Sequence, residues 1–151
     1  MIVVSLVANV ALLVALEAGV AAPAPAPAPK AEILGLWKGA STCTKVEGNE
    51  FCHDETIVYN FVDVPDQPAT VSLKAARIVD GTMRRTFNLY FTYQPDVGNW
   101  TCEFDRDTSR GLWTYVVAGD GLAGTAMLLP ERKIVRNVTA KRTTKDQVLA
   151  P

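Results

Sequence analysis

The most restrictive feature of this sequence is the regular spacing of turn-forming residues from Gly35 onward. Runs of about eight to twelve apolar or alternating residues are separated by short groups of Gly, Pro, Asp and Asn, which is typical of an all-β domain. The eight runs are Leu36–Lys45, Phe51–Val62, Ala69–Val79, Thr82–Tyr93, Asn99–Asp105, Gly111–Ala118, Gly121–Leu129 and Lys133–Arg142. The spacing therefore predicts eight short strands.

Most separators between these runs are short enough to be hairpin turns. Asp80-Gly81 is the clearest, because a two-residue type I′ turn needs positive φ at both positions and this pair tolerates it at little cost. The other short separators are Glu47-Gly48, residues 95–98, Gly119-Asp120 and residues 130–132. Consecutive strands are therefore expected to pair as antiparallel neighbours.

Alternation within the runs predicts which side chains share the inner face of the sheet. The inward sets are Met83, Arg85, Phe87, Leu89, Phe91 and Tyr93 in the fourth run, Trp100, Cys102 and Phe104 in the fifth, and Ile134, Arg136, Val138 and Ala140 in the eighth. Eight such strands form either an up-and-down antiparallel β-barrel or a β-sandwich. We expect the barrel, because closure leaves no exposed sheet edge.

The residues before the first run are interpreted as an export signal followed by a spacer. Residues 2–16 are nearly all apolar, and the small residues at 18–22 fit a signal peptide cleaved after residue 21. The run is shorter than the about 20 apolar residues of a spanning helix, so a transmembrane anchor is the less favoured alternative. Residues 22–32 begin with alternating Ala and Pro and are expected to form an extended linker.

The predicted organisation is a signal peptide at 1–21, the linker at 22–32, a β-barrel domain at 33–143 and a C-terminal tail at 144–151. This arrangement predicts a periplasmic or secreted protein with no stable membrane insertion after cleavage. The chain has 15 Lys and Arg against 16 Asp and Glu, whereas proteins that grip nucleic acid through its phosphates carry a basic excess. We therefore expect no nucleic-acid partner.

The two ends of the barrel region share a pattern: the first run opens with Gly35-Leu36-Trp37, and the last carries Arg136 and ends at Arg142. This pattern resembles the calycin group of β-barrels, which includes lipocalins, avidins and small bacterial metalloprotease inhibitors. In that group a first-strand tryptophan closes the barrel floor beneath an arginine from the end of the chain, in a cation–π contact. The resemblance implies this role for Trp37, with Arg136 or Arg142 as its partner.

Two features depart from the lipocalin pattern. The Thr-Asp-Tyr turn of lipocalins is absent, because Thr114-Tyr115 lies within a run. Only nine residues follow Arg142, too few for the long C-terminal helix of lipocalins. The resemblance is therefore closer to the shorter barrels, including the metalloprotease inhibitors, which also open with Gly-x-Trp.

Three cysteines cannot all pair within one chain. Cys43 and Cys52 flank Glu47-Gly48 symmetrically, so a two-residue hairpin there would place them opposite each other at a separation that a disulfide bridges in an oxidising compartment. The competing pairings use Cys102. The thiol left over is either buried as a small hydrophobe or available for an intermolecular bond.

The densest group of potential ligands is Cys52-His53-Asp54-Glu55, which contains the only histidine of the sequence. Adjacent residues on a strand point to opposite faces, so at most two of these side chains could reach one ion, and we expect no metal site. The sequence also lacks a Gly-x-Ser-x-Gly elbow and a persuasive general base for a nucleophile. A non-catalytic protein without a cofactor is therefore expected.

Two binding functions remain, and they use different surfaces. In the first, a small apolar ligand occupies a lumen lined by Phe87, Leu89, Phe91, Trp100, Phe104 and Val116. The same side chains could instead fill the barrel, since eight strands enclose either a packed core or one small ligand. In the second, residues 22–32 or the loops hold a protein partner such as a protease, with Trp113 and Tyr115 as exposed anchors. A purely structural barrel is the remaining alternative.

Overall fold

A computed structural model of the chain describes residues 29–106 and 109–145, and in it the strands close into a barrel. The elements are α1 (Lys30–Ile33), β1 (Gly35–Cys43), β2 (Glu55–Asp63), β3 (Thr70–Val79), β4 (Thr82–Gln94), β5 (Asn99–Arg106), β6 (Ser109–Ala118), β7 (Gly121–Leu129) and β8 (Lys133–Thr144). Each strand pairs with the next, and β8 pairs with β1. The predicted up-and-down barrel is confirmed and the sandwich alternative is wrong. The predicted signal peptide, residues 22–28 and residues 146–151 lie outside the described residues.

The turns follow the sequence prediction except between β1 and β2. Asp80 and Gly81 both have positive φ, 49° and 76°, as a type I′ turn requires. Between β1 and β2, residues 44–54 form a loop, so the predicted two-residue hairpin at Glu47-Gly48 is wrong. The cause lies in the start of β2, which pairs with β1 only from Glu55 onward.

The predicted disulfide between Cys43 and Cys52 is present, with the two Cα atoms 5.9 Å apart. Because Cys52 belongs to the loop and not to β2, the bridge joins the end of β1 to the loop and does not link two paired strand positions. Cys102 is the free cysteine of the described residues and is buried, and its burial raises the pKa of the thiol. A disulfide of this kind is typical of an oxidising compartment.

Two β-bulges change the inner face that simple alternation predicts. Where β4 pairs with β3, it contains one extra residue, Thr86. Met83, which precedes this bulge in the strand, is exposed. Opposite β7, strand β8 contains the extra residue Val135, which is buried, while its neighbour Ile134 is exposed. The inward placement of Met83 and Ile134 was wrong, because each bulge shifts the two-residue period by one.

The middle of the barrel is filled by four aromatic side chains, which we call the aromatic layer. Tyr59, Phe61, Phe91 and Tyr115 are all buried, and their contacting rings lie 5.0–6.3 Å apart between centroids. Space for one ring depends on a glycine, since a Cβ on Gly124 would lie 2.3 Å from the Tyr115 ring. The aromatic layer therefore separates the two ends of the lumen.

One end of the barrel is a sealed floor. Trp37 and Ile33 are fully buried there, and the Trp37 indole N–H donates to the Ile33 carbonyl over 2.9 Å. The Arg142 guanidinium lies 4.1 Å from the centre of the Trp37 ring and donates to the carbonyls of Leu34, over 2.6 Å, and Glu32. Arg142 is therefore the partner that closes the floor. The alternative partner, Arg136, lies at the opposite end of β8.

Candidate ligand site at the barrel mouth

At the end opposite the floor, the lumen widens into a cavity of about 380 Å³, which we call the mouth cavity. Its wall consists of Ser41, Glu55, Ile57, Tyr59, Ala76, Arg77, Arg85, Thr86, Phe87, Trp113 and Arg136. Tyr59 belongs both to this wall and to the aromatic layer, which therefore forms the base of the cavity. The barrel is packed solid at one end and hollow at the other.

One side of the mouth cavity is built around the carboxylate of Glu55. Arg77 Nη1 lies 2.8 Å from Glu55 Oε1, and Arg136 Nη1 lies 3.5 Å from Glu55 Oε2. Arg136 also donates to Ser41 Oγ over 2.9 Å and to the His53 carbonyl over 3.2 Å. Closure of the barrel brings these residues together, because Glu55 begins β2, Ser41 faces it on β1, and Arg136 is on β8.

The charges around this carboxylate do not balance. Among the described wall residues, two guanidinium groups, Arg77 and Arg136, share this one carboxylate. The Nε–H of Arg77 is buried and has no hydrogen-bond partner within the described part of the chain. A guanidinium has five N–H donors, more than the contacts to Glu55 use, so this side of the cavity can take a further acceptor.

The other side of the mouth cavity is apolar. Phe87 and Trp113 stand with ring centroids 5.9 Å apart, and together with Leu89 and Phe104 they line a second, apolar cavity of about 130 Å³. This space arises because β4 and β5 pair only next to the turn that joins them. The pairing runs from Gln94 opposite Asn99 to Thr92 opposite Thr101, and the two strands diverge toward the mouth. Phe87 and Trp113 contribute to the walls of both cavities.

The base of the mouth cavity presents neutral hydroxyl groups. Burial raises the pKa of Tyr59 to about 12, and it raises the pKa of Tyr115 well above its usual value. A side-chain hydrogen bond between the two phenols also affects both pKa values, and Tyr59 is the one that lines the cavity. Neither phenol is charged at neutral pH, so the charged groups of the site are confined to its rim.

The residues predicted to line the lumen have four different locations. Phe87, Leu89 and Phe104 line the cavities, Phe91 belongs to the aromatic layer, and Trp100 is buried with its ring 5.2 Å from that of Tyr93. Val116 is 46 % exposed on the outer surface, so its predicted place in the lumen was wrong. Whether any of them binds a ligand remains a prediction.

The prediction of Trp113 and Tyr115 as exposed anchors was also wrong, for the same reason as the prediction for Val116. Alternation fixes that Trp113 and Tyr115 share one face and that Val116 lies on the other, but it does not say which face is inside. Pairing decides it, because Trp113 stands opposite Cys102 and Tyr115 opposite Trp100, whose side chains are buried.

Sequence reasoning missed the polar group of Ser41, Glu55, Arg77 and Arg136. The sequence contains a partial signal for this group, because Glu55 is in phase with Ile57 and Tyr59 on β2. In the structure, Arg77 on β3 pairs with Ile57. Alternation places Arg136 on the inner face, but its meeting with Glu55 depends on the pairing of β8 with β1, which is not visible in the sequence.

A larger groove of about 610 Å³ crosses the outside of β6, β7, β8 and β1. Most of its lining side chains are small: Gly39, Ala40, Ala118, Gly121, Ala123 and Ala140. Ligand sites usually combine large apolar side chains with a few converging polar groups, and the mouth cavity has both. We therefore take the mouth cavity as the candidate site and the outer groove as its competitor.

Comparisons with known proteins do not assign the chain to a family. No protein-family model matches it, and neither the curated proteins nor the solved structures include a significant match. Over residues 29–106 and 109–145, no three His, Cys, Asp or Glu side chains come together as metal ligands. The same residues contain no helix with the length and hydropathy needed to cross a membrane.

Proposed function

We propose that the protein is an exported, non-catalytic, lipocalin-like binding protein whose mouth cavity holds one small apolar molecule. The observation that carries this proposal is the hollow above the aromatic layer, with Phe87 and Trp113 forming one wall. Its volume of about 380 Å³ falls in the range of small-molecule sites, about 300–1,000 Å³. Burial of a ligand against these rings provides the free energy of binding.

The aromatic layer limits the ligand to a small one. Because Tyr59 and Phe61 fill the centre of the lumen, a ligand cannot extend toward the floor without displacing buried rings. The additional room lies sideways, in the apolar cavity between β4 and β5. The ligand that fits is therefore a compact ring system or a short chain.

Export to the periplasm or the cell exterior is part of this proposal. The apolar run at residues 2–16 followed by small residues supports a cleaved signal peptide. The disulfide between Cys43 and Cys52 supports an oxidising compartment.

The proposal is tested by titration with N-phenylnaphthylamine, a neutral fluorophore whose emission increases in apolar surroundings. Two variants of matched size decide where it binds. Thr86→Trp fills the mouth cavity from the exposed bulge of β4, and Ala123→Trp fills the outer groove from β7. We expect binding to be lost in Thr86→Trp and kept in Ala123→Trp. The reverse result would move the site to the outer groove, and no binding by the wild type would overturn the proposal.

A second candidate function, a protein-binding module, is favoured by one side chain in the loop at 44–54. Phe51 is 98 % exposed, which is unusual for an aromatic residue, and it directly precedes the disulfide-bonded Cys52. The loop is braced as well by Asn49, whose amide donates to the carbonyls of Thr44 and Val135 over 2.9 Å each. An aromatic anchor on a pre-ordered loop loses little entropy on binding.

The partner in this second candidate is a protein with an apolar pocket that accepts a phenyl ring, such as a secreted protease. Inhibition of the secreted proteases of the same host is measured with the wild type, Phe51→Ser and Val97→Ser. Val97 is a matched control, because it is 68 % exposed in a different turn. The module is supported if Phe51→Ser weakens the inhibition at least about tenfold and Val97→Ser leaves it unchanged. Absence of inhibition, or equal losses in both variants, rejects it.

A further inference from the structure

We infer that the ligand of the mouth cavity carries one anionic head group, a carboxylate or a sulfonate, on its apolar body. This inference rests on the proposed function, because it names the chemical class that the same cavity accepts. It follows from the charge, the hydrogen bonding and the layout of the cavity wall.

The charge of the wall favours an anion. Among the described lining residues, two arginines, Arg77 and Arg136, stand against the single carboxylate of Glu55. Glu55 is itself shared, since one of its oxygens meets Arg77 and the other meets Arg136. A second carboxylate or a sulfonate would bring the charges closer to balance, and a cation would be repelled.

The arginines also have capacity for another acceptor. Apart from Glu55, the contacts of Arg136 are to neutral oxygens, Ser41 Oγ and the His53 carbonyl. The Nε–H of Arg77 has no partner in the described part of the chain. A guanidinium presents five N–H donors in a planar fork that matches the oxygens of a carboxylate. An anionic head group can therefore bind without displacing Glu55.

The layout of the barrel places the charged and apolar walls on opposite sides of the cavity. Arg136, Glu55 and Arg77 come from β8, β2 and β3, whereas Phe87 and Trp113 come from β4 and β6. In the strand order of the closed barrel, β8 lies opposite β4 and β2 lies opposite β6, so Arg136 and Glu55 face Phe87 and Trp113 across the lumen. Arg77 stands on β3, beside β4. A molecule with one anionic end and one apolar end fits this arrangement.

Glu55 has a definite part in this site. Its carboxylate lies against the two guanidinium groups that would receive a ligand anion, Arg77 and Arg136, and it repels that anion. It therefore keeps the arginines in place when no ligand is bound and lowers the affinity for an anion. Replacement by the neutral isostere glutamine is expected to strengthen the binding of anions.

Two fluorophores that differ only in a sulfonate test the inference: N-phenylnaphthylamine, which is neutral, and anilinonaphthalenesulfonate, which is anionic. We expect the wild type to bind the sulfonate about tenfold more tightly than the neutral probe, in line with one charge-assisted contact. Arg136→Gln removes this preference, so that the ratio of the two affinities falls to about one. Glu55→Gln increases the affinity for the sulfonate at least about threefold.

The control variant is Arg110→Gln, because Arg110 is an exposed arginine that pairs with Glu103 outside the cavity wall. It should change neither affinity. If Arg136→Gln does not fold, as judged by circular dichroism, Arg77→Gln replaces it with the same expectation. Displacement of N-phenylnaphthylamine by octanoate and by octanol repeats the comparison for a carboxylate, and octanoate should be the stronger competitor.

The outcomes separate this inference from the proposed function. The anionic head group is overturned if the wild type binds the charged and neutral probes with equal affinity and if Arg136→Gln and Arg77→Gln do not change either affinity. The protein would then bind apolar molecules without regard to charge. The inference is also overturned if Arg110→Gln abolishes the preference for the sulfonate as fully as Arg136→Gln does. The attraction would then come from the charge of the whole surface and not from the cavity. Failure of both probes to bind the wild type would overturn the proposed function itself.

Discussion

Arg136 and Arg142 lie on the same strand and face the same lumen, yet the two ends of the barrel use them differently. Arg142 is 6 % exposed, covers Trp37, donates to the Leu34 carbonyl and pairs with the exposed carboxylate of Asp120. Arg136 is 19 % exposed and shares the carboxylate of Glu55 at the rim of a cavity. Arg142 therefore closes the floor by packing on Trp37, whereas Arg136 stands in the wall of a cavity that also presents aromatic rings.

The floor is expected to be the most sensitive part of the molecule. Trp37→Ala should lower the free energy of unfolding by about 3–5 kcal/mol, because the indole is fully buried and its removal leaves a cavity. Urea unfolding followed by circular dichroism measures the change. A loss of about 1 kcal/mol or less would mean that Trp37 does not close the floor.

The two arginines provide the matched comparison. Arg142→Gln should lower the free energy of unfolding by about 2–4 kcal/mol, since it removes the cation–π contact and leaves the Leu34 carbonyl without its charged donor. Arg136→Gln should cost about 1 kcal/mol, because Glu55 keeps Arg77. The same urea experiment compares them. An equal loss in the free energy of unfolding in both variants would mean that the arginine of the floor and the arginine of the rim do not differ in their structural role.

High pH should act on the aromatic layer between the two ends. Because the pKa of Tyr59 is raised to about 12 in the folded protein, the stability that its neutral phenol contributes is present below about pH 10 and is lost as the pH rises toward 12. The loss is on the order of 2–3 kcal/mol for this group. Unfolding free energies measured across that range should fall steeply in the wild type and less steeply in Tyr59→Phe. Identical slopes would show that Tyr59 is not the group responsible.

The mouth end has a covalent brace that the floor lacks among the described residues. Replacing both Cys43 and Cys52 by serine should lower stability by about 2 kcal/mol, as expected for a bridge with a sequence separation of 9. Thermal unfolding with and without a reductant measures this loss, and the double variant should not respond to the reductant. An unchanged melting temperature in the double variant would mean that the loop does not depend on its disulfide.

The floor was predictable from the sequence, and most of the mouth was not. Gly35-Leu36-Trp37 and Arg142 are near the two ends of the barrel region, and the resemblance to calycins was sufficient to bring Trp37 and a late arginine together. The strands were predictable too, because turns such as Asp80-Gly81 are marked by local residues.

The mouth depends on information that is not local. The bulges at Thr86 and Val135 each shift the alternating pattern by one residue, and no residue type announces them. Trp113 and Tyr115 could be assigned to the interior only through their pairing with β5. Glu55 and Arg136 meet only because the last strand returns to the first, which is a property of the closed barrel as a whole.

The division between a sealed floor and a binding mouth is tested most directly by nuclear magnetic resonance of the wild type titrated with N-phenylnaphthylamine. We predict that the methyl signals of Ile57 and the indole signal of Trp113 shift, because both side chains line the mouth cavity. The signals of Trp37 and Leu73, which are fully buried, should stay in place. The division would be contradicted if the signals of Ile57 and Trp113 stayed in place while those of Trp37 and Leu73, or of Val116 in the outer groove, shifted.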